Sequence, residues 1–208
     1  MLEQRTDGWL SERSGKVTAS AIYKVMARTK TGYGADRANY HAQLVTERLT
    51  GLPTEGFTNS AMQWGIETEA QARAAYAFSV NDPVVETGFH MHPSIADSGA
   101  SPDGLVGTRG LVEIKCPNTA THIQTLTGAG IDRKYLLQMQ WQMACTDRDW
   151  CDFVSFDPRL PEAMQMHVRR VERDAELLAE IEREVTQFLA EVAATVADLE
   201  ARYMKEAA

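Results

Sequence analysis

The stretch SPDGLVGTRGLVEIKCP, residues 101–117, decides how the chain is read. SPDGLVG (101–107) reads as a strand broken by a Pro-Asp-Gly turn signal, and GLVEIKCP (110–117) as a second strand closed by Pro117. Two such runs joined by a short glycine-containing connection predict a β-hairpin. Alternate residues of a strand share a face, so Glu113 and Lys115 project together while Ile114 turns into the core. The hairpin returns Asp103 beside them, which gathers two carboxylates and one ammonium in a small space. Hard oxygen donors of this kind suit Mg²⁺ or Mn²⁺, with waters completing an octahedron. The backbone carbonyl of Ile114 is a further candidate oxygen. Phosphodiester hydrolysis needs this set: a carboxylate-held cation activates water, and Lys115 stabilises the developing charge. A surface hairpin bearing an i, i+2 Glu–Lys pair has the same local pattern. The hairpin alone leaves both readings open.

Upstream, TASAIYKVMA (18–27) predicts a short helix capped by Thr18 or Ser20, with Ile22, Val25 and Met26 on one face. Residues 36–50 predict a helix with Tyr40, Leu44 and Leu49 inward, stopped by Gly51 and Pro53. Residues 60–79 predict a longer one that turns Trp64, Ala72, Ala75 and Tyr76 to the core. The period then shortens, and VVETGFHMH (84–92) alternates as a strand. Downstream, 133–146 predicts a helix rich in Gln and Met, and 149–158 and 162–171 two more strands. From Asp174 to about Tyr203, Leu177, Ile181, Val185, Phe188, Val192 and Val196 recur every three or four residues, a long amphipathic helix. This order predicts an α/β fold with a central mixed β-sheet flanked by helices.

At 208 residues the expectation is one domain, 1–208, large enough to bury its core without disulfides. Cys116, Cys145 and Cys151 form neither a paired framework nor a zinc spacing, which suits reduced thiols. Neither a signal-peptide pattern nor an apolar run of about 20 residues is present, so a cytoplasmic protein is expected. The net charge of −8 argues against a protein that coats nucleic acid by charge alone. Its distribution is uneven: residues 174–208 carry nine acidic and three basic side chains, residues 1–50 eight basic and five acidic. A local groove for DNA is compatible with that split. His90 and His92 lie one strand repeat apart, but two histidines without a third soft ligand make a poor zinc site and receive no role. Cys116 has no histidine arranged to activate it and is read as packing.

Six blocks in order, spanning residues 13–159, carry a family resemblance: RSGKVTAS (13–20), WGIETEAQAR (64–73), SPDGL (101–105), EIKCP (113–117), YLLQMQ (135–140) and FDPR (156–159). Together they resemble the phage λ exonuclease family, the YqaJ-type viral recombinases, within the PD-(D/E)-x-K nucleases. The resemblance implies a restriction-endonuclease-like core and Mg²⁺-dependent 5′→3′ exonuclease activity on double-stranded DNA, leaving a 3′ overhang. It implies metal ligation by Asp103, Glu113 and the Ile114 carbonyl, with Lys115 as the catalytic lysine. Glu69 matches the helix glutamate that faces the metal. Glu67 cannot serve as well, since residues two apart on a helix diverge by about 200°. Gln138 matches a glutamine that holds substrate or a metal-bound water, whereas Gln140 reads better as an exposed helix side chain. Arg13, Ser20 and Ser101 match a pocket for a 5′-phosphate, with helix-start amides at 18–27 as further donors. Met62 falls where the family places an apolar wedge against the terminal base pair. Implied partners are DNA with a phosphorylated 5′ end, a single-strand annealing protein, and two further copies in a trimeric ring inside a bacterial host. A structure- or sequence-specific endonuclease and a non-catalytic DNA-binding module are the alternatives.

Overall fold

The computed structural model describes residues 4, 6–54, 60–80 and 82–204, the side chains of residues 61 and 62 excepted. Helix α1 (Asp7–Arg13) starts where the Thr6 hydroxyl accepts the Trp9 N–H. Strand β1 (Val17–Thr18), a 3₁₀ turn (Ala19–Ala21) and the single-turn α2 (Ile22–Val25) follow, then a small hairpin, β2 (Arg28–Thr29) and β3 (Gly32–Tyr33). Helix α3 (Ala35–Thr50) ends at Gly51, whose φ of 68° suits a residue without a Cβ. Helix α4 (Ser60–Ser79) leads to β4 (Val84–Val85), β5 (His90–Met91), β6 (Ser98–Ala100), β7 (Gly104–Val106) and β8 (Gly110–Lys115). Helices α5 (Thr119–Leu126) and α6 (Arg133–Thr146), strands β9 (Trp150–Phe156) and β10 (Met166–Glu172), and helix α7 (Ala175–Tyr203) complete the chain. Asp174 begins α7 by accepting the N–H groups of Glu176 and Leu177.

The central sheet has the order β10-β9-β8-β7-β4. Only β8 and β9 run parallel; the other pairs are antiparallel, so the sheet is mixed as expected. The β7–β8 hairpin forms with Gly104 opposite Val112. Gly110 lies directly against the Trp150 ring, and a Cβ there would overlap it. Helix α4 covers one face of the sheet, packing Ala72 and Tyr76 on Val112, Ile114, Val154 and Phe156. Helix α6 covers the other, setting Met139 and Met143 on Leu111, Cys151 and Phe153. A third cluster joins α2, α3, α6 and α7 around Trp141, Ile181, Val185 and Phe188. There Tyr40 stacks on Phe188 with ring centroids 5.6 Å apart, and Arg37 holds Glu191 at 2.6 Å.

Three local expectations are corrected. The 84–92 strand is two strands in two sheets: β4 pairs with β7, and β5 pairs with β6 in a small sheet β1-β6-β5. Thr87, Gly88 and Phe89 are all buried where the chain passes between the sheets, so burial does not alternate through the crossing. The 18–27 helix reduces to a 3₁₀ turn and one α turn, without a side-chain cap from Thr18. The 162–171 strand starts at Met166, after a 3₁₀ turn over Glu162–Met164. Helices α1 and α5 carried no sequence expectation; α5 is short and threonine-rich, a weak helix former, and the Asn118 cap is its main local support. Among the described residues, no helix is long and apolar enough to cross a membrane.

Candidate active site

Strand β8 and helix α6 build the site from both sides. Glu113 is fully buried on the sheet face under α6, where an isolated carboxylate is costly. Three groups offset that cost. Its Oε1 meets Lys115 Nζ at 2.5 Å and accepts from Gln138 Nε2 at 2.7 Å. Its Oε2 accepts from Gln142 Nε2 at 2.6 Å. Gln138 and Gln142 are one helical turn apart, so α6 presents both amides together.

Asp103 lies just before β7, and extending the β7–β8 register by one step sets it opposite Glu113. Its Oδ2 accepts the Ile114 N–H at 2.7 Å, which replaces the pairing that β7 no longer supplies. In an antiparallel ladder a residue's N–H and C=O point to the same side. The Ile114 carbonyl therefore faces the Asp103 side as well. Burial, followed by the charge of Glu113, pushes the Asp103 carboxyl well above its ordinary value. Burial alone would lower Lys115, but Glu113 and Asp103 outweigh it and hold the ammonium above its usual range. This close acidic pair, one carboxylate buried and the other half-buried, favours a proton or a cation between the two.

Helix α4 closes the third side. Glu69 is largely buried and its Oε1 accepts from Arg73 at 2.6 Å. Arg73 also donates to the Asp103 carbonyl at 3.0 Å and pairs with Glu86. Glu67 is exposed and bonded to Gln63, on another side of the helix. Gln140 is corrected: it is buried, with its Nε2 donating to the Glu172 carbonyl and its Oε1 accepting the Asp174 N–H. It ties β10 to the start of α7 and points away from Glu113.

The 5′-phosphate candidates converge on the same place. Arg13, Ser20, Ser101, Glu69, Asp103, Glu113, Ile114, Lys115 and Gln138 line one cavity of about 190 Å³. Arg13 lies over the Trp9 ring at 3.8 Å, and the Ser101 Oγ accepts from Trp9 Nε1 at 3.0 Å. Burial lowers Arg13 to about 10, and among the described residues no carboxylate offsets it. The expected helix-start amides are corrected, because only a three-residue 3₁₀ turn begins there. The anion donors here are the guanidinium and the hydroxyls. Met62 belongs to α4, but its side chain lies outside the described residues.

The remaining expectations separate cleanly. His90 bonds Thr87 Oγ1, whereas His92 is buried, stacked on Trp141 at 4.6 Å, with its Nδ1 accepting from Ser94 and Ile95. Their hydrogen bonds go to different neighbours. Burial pushes Cys116 up to about 12, which suits a packing thiol. Among the described residues, no three His, Cys, Asp or Glu side chains converge as a metal cage. Mg²⁺ does not require one, since it takes one or two carboxylates and keeps several waters.

Sequence reasoning passed over Trp9, Arg73 and Gln142, and it gave the FDPR block no task. Gln142 was visible only as an i+4 neighbour of Gln138 on one helix face. Asp157 of the FDPR block is buried and accepts from Thr119 Oγ1 at 2.6 Å and Arg159 Nε at 2.7 Å. Arg159 in turn donates to the Pro117 carbonyl and covers the Trp64 ring at 4.3 Å. Three motif blocks, 64–73, 113–117 and 156–159, are thus braced beyond the end of β8. Burial opposes ionisation of Asp157, yet the bonds from Arg159 and Thr119 hold its carboxyl down at about 2. A depressed carboxyl stabilises the fold above its unfolded value, near 4, and loses that contribution as pH falls toward 2. Asp157→Asn is expected to cost about 2 kcal/mol at pH 7. Urea titrations at several pH values should show the gap from wild type closing below pH 4; a constant gap would rule out the ionised carboxylate as its source.

The YqaJ-like viral recombinase domain model matches residues 8–149, which covers most of the chain and includes Glu69, Asp103 and Glu113. The chain belongs to this family. Its fold matches the alkaline exonuclease LHK-Exo of Laribacter hongkongensis with a TM-score of 0.89 at 51% identity, covering 97% of this chain and all of that one. A structure of LHK-Exo in complex with dAMP matches with a TM-score of 0.90 at 52% identity and the same coverage. A phage-related exonuclease from Haemophilus somnus shares the fold at 18% identity and a TM-score of 0.68, over 88% of this chain and 96% of that one. An uncharacterised protein of Acanthamoeba polyphaga mimivirus is 28% identical over 166 residues, 73% of this chain. The match spans only 29% of that viral protein's length.

Proposed function

We propose that residues 1–208 form a single nuclease domain that degrades double-stranded DNA from a phosphorylated 5′ end, hydrolysing one strand 5′→3′ and leaving a 3′ overhang for annealing. The family and the strong likeness to an alkaline exonuclease support a nuclease. The shared cavity carries the finer reading, because it joins a carboxylate pair with a lysine to a guanidinium that no described carboxylate pairs, with hydroxyls beside it. Arg13, Ser20 and Ser101 take the terminal phosphate, and Asp103, Glu113 and the Ile114 carbonyl hold the cation. Mg²⁺, with Mn²⁺ as a substitute, supplies charge neutralisation at the scissile phosphate and a more acidic water. The donor set fits: a buried and a half-buried carboxylate and a carbonyl turned to the same side form a hard-oxygen site with room for waters.

Within that reading each side chain has a task. Lys115 donates to the attacking water or to the developing phosphate charge. Gln138 reaches past Glu113 toward substrate, and Glu69 faces the metal site. Met62 stands at the start of α4 as a wedge against the terminal base pair. A single-strand annealing protein receives the overhang, and a homotrimeric ring in a bacterial cytoplasm keeps a chain of net charge −8 on its substrate by enclosure.

Linear duplexes labelled at 5′-phosphate, 5′-hydroxyl or 3′ ends, incubated with Mg²⁺ beside a nick-free circle, test the reading. Release from 5′-phosphate ends with the circle intact is expected. A cut circle would favour an endonuclease, and no release from any substrate a binding module. Sedimentation showing a highly processive monomer would sink the ring.

A further inference from the structure

Beyond Lys115 lies a second cleft of about 190 Å³ that the reading above leaves unused. Its floor is the same sheet face that carries Glu113 and Lys115. Residues directly opposed across strands share a face. Lys115 aligns with Ser155 and Ser155 with His167; on the next rung Glu113 aligns with Phe153 and Phe153 with Arg169. Moving across the sheet from β7 to β10, this face passes from Asp103 through Lys115 and Phe153 to Arg169. The far wall is the half-buried ring of Tyr135 on α6, 5.8 Å from the Phe153 ring. Lys115 Nζ and Lys134 Nζ stand 5.0 and 4.7 Å from the Tyr135 centroid.

The charge balance of the cleft is one-sided. Lys115, Lys134, Arg169 and the His167 imidazole line it with one carboxylate, Asp132, which lies 3.6 Å from Lys134, while Lys115 pairs with Glu113. Among the described residues Arg169 and His167 enter no ion pair. A guanidinium without a described ion pair and an imidazole, beside a half-buried aromatic ring, are elements that hold a single strand, the polar groups on the backbone and the ring on a base.

We infer that this cleft holds the nucleotide immediately 3′ of the scissile bond, with its base against Tyr135 and its backbone along Arg169 and His167. The inference rests on the proposed 5′-end reading. With the terminal phosphate at Arg13 and the cut at Lys115, the strand continues on the opposite side of Lys115, where this cleft opens. Tyr135 is then a substrate-positioning residue that bears on the second nucleotide and leaves the terminal one to the first cavity.

Single-turnover release of the first nucleotide, from a 5′-phosphorylated duplex with or without a base at its second position, tests this. The wild-type protein is expected to slow about tenfold when that base is missing. Tyr135→Ala is expected to be slowed by a similar factor on the intact duplex and to stop distinguishing the two. Tyr135→Phe, which keeps the ring beside Lys115, should behave as wild type. Arg169→Ala, remote from the carboxylates, should raise KM and flatten the salt dependence by about one unit of slope while the effect of the missing base persists. Wild-type indifference to the missing base, or Tyr135→Ala still sensing it, overturns the cleft assignment. Absence of release from the intact 5′-phosphorylated control overturns the 5′-end reading beneath it, and that result is separately visible.

Discussion

Lys115→Ala is expected to lower Mg²⁺-dependent release of acid-soluble nucleotide by about 10²–10³-fold, the usual effect of deleting one group that stabilises transition-state charge. The ammonium sits 2.5 Å from Glu113, and Glu113 and Asp103 hold it above its usual range against the effect of burial. At neutral pH it is therefore a proton donor. Its loss leaves Glu113 with Gln138 and Gln142 as donors, so a destabilised fold must be told apart from lost chemistry. Matched melting curves and near-UV spectra, with the rate measured well below the transition, make that distinction. Unchanged release in a folded variant would remove Lys115 from catalysis.

The second large effect concerns the terminal phosphate. Wild-type protein is expected to favour a 5′-phosphate over a 5′-hydroxyl, and Arg13→Ala to abolish the preference by slowing phosphorylated ends about 10–100-fold, as the loss of a charged hydrogen bond predicts. Hydroxyl ends should be nearly unaffected. The expectation follows from an electrostatic imbalance: Arg13 is buried enough to be lowered to about 10, and no described carboxylate compensates. A guanidinium in that position gains most from an incoming dianion. Equal slowing on both ends would instead assign Arg13 to packing on Trp9, the ring it covers at 3.8 Å.

Legibility differed by element for physical reasons. The stripe on α7 and the apolar positions of α3 were plain because an amphipathic helix repeats its burial every turn. Glu113 and Lys115 could be placed on one face because a strand alternates strictly. The crossing between β4 and β5 was hidden, since an alternating sequence does not name the partner strand. Helix α5 was hidden because its support is a single cap and its packing on the sheet, where His122 bonds Ser155 at 2.7 Å. Gln142 lies beyond the motif block that ends at Gln140, and only helix phase aims it at Glu113 while Gln140 bonds the start of α7.

The sequence by itself determined the two carboxylates, the lysine between strand and cavity, and the order of blocks that carries the family likeness. Those are local or strictly periodic features, and one strand's pleat is enough to read them. Only the tertiary structure decided that Arg13, Ser20 and Ser101 open onto the same cavity as Asp103 and Glu113, from elements as much as 100 residues apart. It also decided that Gln142 holds the second oxygen of Glu113, and that Arg159 ties Pro117 to Trp64. Such contacts are set by sheet order and helix packing, which depend on the whole core and leave no periodic mark on the chain.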